Sequence, residues 1–140
     1  MEKDGHTRIL LVDDYAPFRR YVFSMLQEQG NVQVIGEAED GLQAVKQAEA
    51  LQPDVVVLDI GLPGINGIEA ARQIGNIAQK ARIIFLTQES SPEVVQEAFT
   101  LGAWAYIIKA EAGAELLPAV EAVSRGERFM NGTSDMNKGR

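Results

Sequence analysis

"RILLVDDYAPFRRYV", Arg8 to Val22, runs four aliphatic residues straight into two adjacent aspartates. An unbroken run such as Ile9–Val12 has the character of a strand buried on both faces, as in a parallel sheet. Pro17 then suits a first helical turn, where a missing amide costs nothing. Phe18, Val22, Met25 and Leu26 share one side of the helix that follows. Gly30 suits its end. A buried strand therefore ends in two like charges and turns at once into a helix. What tolerates two carboxylates there is the question the rest of the chain must answer.

The same alternation continues outward. Val32–Ala38 reads as a second strand. Asp40 to Leu51 reads as a helix with Asp40 as its N-cap, ended by Pro53. "DVVVLD", Asp54 to Asp59, is β-branched, continuous and too short for a helix. The loop "GLPGING", Gly61 to Gly67, follows. Its G-x-x-G-x-x-G spacing is neither a dinucleotide fingerprint nor a P-loop, so its glycines read as backbone shapers. Asn66 caps a helix to Ile77, which Gly75 weakens. Arg82–Thr87 is the fourth strand. Ser91 and Pro92 open a helix that Gly102 closes. Ala105–Ile108 is the fifth strand. The last helix runs from about Ala114 to Ser124, with Pro118 leaving its start open. Five strand–helix repeats predict an α/β fold, a parallel sheet with helices on both faces. The domain is expected over residues 8–126. Residues 1–7 read as a disordered tail, and residues 127–140 as a tail or the start of a linker.

Composition narrows the chemistry. A chain of 140 residues suits one domain. A hydrophobic content of 46% is too high for a disordered one. The net charge of −7 argues against nucleic acid as a direct partner. With no cysteine there are no disulfides or thiolate zinc sites, which fits a reducing compartment. His6 is the only histidine and lies in the polar N-terminal stretch, so a histidine zinc site, a Ser-His-Asp triad and a phosphohistidine are poorly supported. No apolar run approaches the ~20 residues that cross a bilayer, and "MEKDGHT" lacks the apolar region of a secretory signal. The expected location is cytoplasmic, away from membranes.

In an open α/β sheet, functional groups gather at the carboxyl ends of the strands. Asp13 and Asp14 end the first strand, Asp59 the third and Thr87 the fourth; Lys109 follows the fifth. Strand order is not written in the sequence, but in the usual order 2-1-3-4-5 the first and third strands flank one crevice. Two carboxylates about 4 Å apart at an effective dielectric of 20 repel by ~4 kcal/mol. A hard cation removes that cost, and magnesium suits such oxygen ligands. Metal and carboxylates together suit phosphoryl transfer, with Asp59 as nucleophile and Thr87 and Lys109 on the phosphoryl oxygens. Taken singly, each residue is more often a cap, a solvated charge or an ordinary strand residue. Five at one end of alternating strands rarely meet by chance.

The pattern resembles the receiver domain of two-component response regulators. The matching stretches are "VDD" (Val12–Asp14), "LDIGLPGINGIE" (Leu58–Glu69), "FLT" (Phe85–Thr87), "GAWAYIIK" (Gly102–Lys109) and "ELLPAVEAVSRGE" (Glu115–Glu127). The last is most similar to receivers whose larger members carry a LuxR-type helix-turn-helix output domain. The resemblance implies a flavodoxin-like (βα)5 sandwich with sheet order 2-1-3-4-5. It implies that Asp59 accepts a phosphoryl group from a sensor histidine kinase or a histidine phosphotransfer protein. Mg2+ would sit on Asp14 and Asp59, on Asp13 through water, and on the Gly61 backbone carbonyl. Thr87 and Lys109 would contact the phosphoryl group, and Tyr106 would turn inward as Thr87 is drawn toward it. The face of the fourth helix, fifth strand and fifth helix would then change partner or form a homodimer. Such a domain catalyses its own phosphorylation and hydrolysis and is not a turnover enzyme. Its regulator would control transcription through an output domain beyond this sequence.

The chain departs from the pattern at three places. Gln88 stands where receivers have a small residue, and a longer side chain there narrows access to Asp59. Ala110 stands where many have proline. Gly61 and Glu89 occupy positions that tune dephosphorylation. Gln88 is the best support for an alternative, a pseudo-receiver that keeps the fold and binds partners without phosphate. A phosphatase of the haloacid dehalogenase type would need D-x-D after the first strand, where this chain has Asp13-Asp14-Tyr15.

Overall fold

A computed structural model of the chain describes residues 6–88 and 91–129. Its elements alternate strictly. They are β1 (Thr7–Val12), α1 (Ala16–Gln27), β2 (Val32–Ala38), α2 (Gly41–Leu51), β3 (Val55–Leu58), α3 (Gly67–Ile77), β4 (Arg82–Thr87), α4 (Pro92–Thr100), β5 (Ala105–Ile108) and α5 (Ala112–Ser124). A short 3-10 turn, Lys109–Glu111, joins β5 to α5. All strand pairs are parallel, in the order β2-β1-β3-β4-β5. This is the flavodoxin-like order expected from the sequence.

The unbroken apolar runs are explained by burial on both faces. Side chains alternate along each strand. Leu10, Val12, Val56, Leu58 and Phe85 pack on one side of the sheet with Ala44, Ala48 and Ile74 of α2 and α3. Ile9, Leu11, Val57 and Ile107 pack on the other with Val22, Leu26, Leu116 and Val120 of α1 and α5. Each such side chain, fully buried, contributes roughly 1.5–3 kcal/mol.

The caps are where the sequence placed them. Asp40 accepts from the Gln43 amide at 2.9 Å and Asn66 from the Glu69 amide at 2.9 Å. Ser91 accepts from the Val94 amide at 3.4 Å. Each such bond satisfies an amide that has no partner within its helix.

Four boundaries differ. β1 begins at Thr7, not Ile9, because the Thr7 amide donates to the Asn31 carbonyl at 2.9 Å. α1 ends at Gln27, short of Gly30, where the Gln29 amide turns back to the Leu26 carbonyl at 3.0 Å. α5 begins at Ala112 and continues through Pro118. Pro118 is exposed, while Leu116, Ala119, Val120 and Val123 bury the opposite side, which offsets the lost hydrogen bond. Finally, the chain after Gly126 does not leave at once. The Phe129 amide donates to the Trp104 carbonyl at 2.8 Å and Phe129 bridges Ala105. The Arg128 guanidinium lies 4.3 Å from the Trp104 ring, which also carries Arg82 at 4.5 Å. Residues 1–5 and 130–140 of the expected tails lie outside the described residues.

Candidate functional site

The strand register builds the site. Val12 pairs with Leu58, Leu58 with Phe85, and Thr87 with Ile108. Asp13, Asp59 and Lys109, which follow Val12, Leu58 and Ile108, therefore emerge at the same end of the sheet as Thr87. The Asp59 amide donates to the Val12 carbonyl at 3.1 Å, and the Asp13 amide to the Ala38 carbonyl at 3.1 Å. Both backbones are thus fixed by the last bonds of the sheet. Asp13, Asp59 and Thr87 are buried, and Asp14 is exposed.

One carboxylate oxygen from each of Asp13, Asp14 and Asp59 lies within 4.8 Å of the others. The Lys109 ammonium joins two of them, 2.8 Å from Asp13 Oδ2 and 3.0 Å from Asp59 Oδ2. Three negative charges thus face one positive charge. This excess of carboxylate oxygen, from two buried groups and one exposed one, suits a divalent, oxygen-loving cation, so the residues present fit a metal of that class. Burial raises the Asp13 carboxyl above its ordinary value, against the bonds it accepts from Lys109 and the Tyr15 amide. Burial also opposes the charge on Lys109, but its hydrogen bonds to Asp13 and Asp59 outweigh this and hold the ammonium above the usual lysine value.

Other groups set the two buried aspartates. The Gly61 amide donates to Asp59 Oδ1 at 3.1 Å, so Gly61 touches the site through its amide. A Cβ on Gly67 would collide with the Asp59 carbonyl oxygen, and the Gly67 amide donates to the Ile60 carbonyl at 2.8 Å. This is the glycine of "GLPGING" that the site requires. The Tyr15 amide donates to Asp13 Oδ1 at 2.9 Å. Arg19 donates to the Asp13 carbonyl at 2.7 Å while pairing with Glu37 at 2.9 Å.

Asp13, Asp14, Asp59 and Lys109 are therefore brought together, with Thr87 buried at the end of the strand beside Asp59. Tyr106 lies deeper. Its ring is buried, with centroids 6.1 Å from Phe85 and 6.3 Å from Phe99. Gln88 is exposed at the end of β4, and Glu89 lies outside the described residues. Arg19 and Phe18 join the site without a mark in the sequence. Their spacing places them on a helix, but gives no sign that the first turn of α1 leans over the aspartates. The Phe18 ring centroid is 4.8 Å from Lys109 Nζ.

Comparison with known proteins agrees with this geometry. Residues 9–121 match the response regulator receiver domain. The chain belongs to that family. It is 38% identical over 120 residues to the transcriptional regulatory protein LiaR of Bacillus subtilis, covering 86% of this chain and 57% of LiaR. It is 32% identical over 131 residues to the nitrate/nitrite response regulator protein NarL of Escherichia coli K12, covering 94% of this chain and 61% of NarL. Among solved structures, a LuxR-family two-component response regulator from Aurantimonas sp. SI85-9A1 superposes with a TM-score of 0.83 at 36% identity, over 88% of both chains. The response regulator domain of Thermotoga maritima CheB gives 0.80 at 32%, over 86% of this chain and 97% of that one. The receiver thus groups with LuxR-type regulators, as its last helix suggested. It spans 57% of the length of LiaR, a curated relative. Among the described residues, no helix is long and apolar enough to cross a membrane.

Proposed function

We propose that this receiver is a phosphorylation-operated switch with Asp59 as its acceptor. The observation that carries the reading is the setting of that carboxylate. Asp59 is buried, held by the Gly61 amide and the Lys109 ammonium, and has two more carboxylates within reach of a shared cation. An Asp59 oxygen attacks the phosphorus of a phosphohistidine on a sensor kinase or phosphotransfer protein. The P–N bond breaks, its electron pair stays on the imidazole nitrogen, and an acyl phosphate forms. Hydrolysis ends the phosphorylated state: water attacks phosphorus, the P–O bond to Asp59 breaks with its electron pair left on the carboxylate, and inorganic phosphate is released.

Asp13, Asp14, Asp59 and the Gly61 carbonyl would hold Mg2+, which when bound supplies positive charge to the transferring phosphoryl oxygens. Lys109 follows the new charge from Asp59 to the phosphoryl group, and the Thr87 hydroxyl donates to another of its oxygens. That movement is transmitted past Tyr106 to the surface of α4, β5 and α5, which changes partner or dimerises. The regulator acts in the cytoplasm, and its effect on transcription comes from an output domain. The domain promotes its own phosphorylation and hydrolysis and is not a turnover enzyme.

Intact mass after incubation with acetyl phosphate and magnesium tests this. The expected gain is about 80 Da, one phosphoryl group, absent from Asp59→Asn. No gain from acetyl phosphate or from a phosphorylated histidine donor would overturn the reading and favour a pseudo-receiver. Shortening Gln88 would then show whether access was the obstacle.

A further inference from the structure

We infer that Phe18 is a positioning residue for Lys109, and so sets the rate at which Asp59 takes a phosphoryl group. This rests on the phosphoacceptor reading above. Periodicity assigns Phe18 to the core, and part of the ring does pack there, against the cluster that includes Val22 and Leu26. The rest of the side chain has a second role. Its centroid lies 4.8 Å from Lys109 Nζ, close enough for the ring's negative face to attract the ammonium. Phe18 is itself held by Tyr21, with centroids 5.8 Å apart. The Tyr21 hydroxyl in turn lies 3.2 Å from where a Cβ on Gly113 would stand, at the start of α5. The first turns of α1 thus form an aromatic wall across to the segment that follows Lys109.

The ammonium is consequently fixed by three groups of two kinds. Asp13 and Asp59 hold it by hydrogen bonds at 2.8 and 3.0 Å, each with a preferred donor direction. The ring attracts it without demanding a direction. When charge builds on a phosphoryl group at Asp59, Lys109 must turn its donors away from a carboxylate oxygen. A ring face lets it turn without losing that attraction, and shields a side chain that is only 13% exposed. An aliphatic residue of similar size would keep the packing but lacks the quadrupole.

The experiment compares wild type, Phe18→Leu and Phe18→Tyr as the full chain with acetyl phosphate and magnesium, following the rate of the phosphoryl mass gain. Phe18→Leu is expected to slow it about threefold to tenfold, and Phe18→Tyr to stay within about twofold, with both folded. NMR of the wild type supplies a second readout that packing alone does not move. The Lys109 ε-methylene protons should lie upfield of the solvated lysine position because of the ring current, and return to it in Phe18→Leu. Equal rates in wild type and Phe18→Leu would overturn the inference, as would equal slowing by Leu and Tyr. Lys109 ε protons at the solvated position in wild type would overturn it even if no variant folded. A wild type that takes no phosphoryl group would instead overturn the phosphoacceptor reading itself.

Discussion

Lys109 and Asp59 come from β-strand ends two strands apart in the sheet and meet at 3.0 Å. The same ammonium reaches Asp13 at 2.8 Å, so it keeps two buried carboxylates from facing each other unscreened. Removing one partner of a buried pair leaves the other uncompensated. Lys109→Met is therefore expected to lower stability by roughly 2 kcal/mol, less than in a dry interior because Asp14 opens the site to water. Added magnesium should restore part of the loss. Urea unfolding with and without the metal checks both. A variant as stable as wild type in chelator would show that the carboxylates do not need the lysine.

Gly67 has no room for a methyl group. A Cβ there meets the Asp59 carbonyl oxygen and the Ile60 backbone, which cannot swing aside as a side chain can. Gly67→Ala is expected to cost about 2 kcal/mol and to slow phosphorylation by displacing Asp59. Gly75 is the control, on the same helix, exposed and with nothing within 4 Å of where a Cβ would stand. Gly75→Ala should raise stability by up to about 1 kcal/mol. Denaturant midpoints of the two variants should move in opposite directions.

The contrast between these glycines marks what a sequence discloses. Val55–Leu58 declares itself a strand because burial on both faces leaves no polar residue in it. Asn66 declares a helix start because its side chain has one suitable amide to meet, three residues on. The strand ends place Asp13, Asp14, Asp59, Thr87 and Lys109 at one end of the sheet, but the order that makes them neighbours comes from the family resemblance, not from the residues themselves. Long-range choices leave no such local trace. The start of α5 is obscured because Glu111, its N-cap residue, makes no side-chain capping bond. Phe129 has no periodic neighbour to announce its bridge to Ala105. Periodicity shows which side of α1 carries Phe18, but not that this end of the helix overhangs a lysine ninety-one positions later.

Asp14 differs from its neighbour in exposure, and that separates binding from stability. Among the described residues, none forms a hydrogen bond or ion pair with its carboxylate, whereas Asp13 is tied to Lys109 and the Tyr15 amide. Asp14→Asn should weaken magnesium binding by at least about tenfold. The same change should alter stability by less than about 0.5 kcal/mol in chelator. Calorimetric titration of the metal is the suitable readout. Trp104 is not, because it precedes β5 and so lies at the opposite end of the sheet from Lys109, which follows that strand. Unchanged affinity would remove Asp14 from the metal site.

Trp104 reports instead on the segment beyond α5. Arg128 lies over its ring at 4.3 Å and donates to the Gly102 carbonyl at 3.3 Å, while Phe129 pairs alongside the start of β5. As the only tryptophan in the chain, it gives an unmixed emission signal. Arg128→Ala should increase its quenching by acrylamide and shift its emission to the red, since one guanidinium no longer covers the ring. The cost in stability should be about 1–2 kcal/mol, because an exposed cation–π contact is lost together with hydrogen bonds to the Gly102 and Ala103 carbonyls. Arg82 is half-buried where Arg128 is exposed, and its bond to the Val123 carbonyl at 2.8 Å ties β4 to α5, so Arg82→Ala should cost more. Equal quenching in wild type and Arg128→Ala would show that residues 127–129 do not stay on the domain in solution.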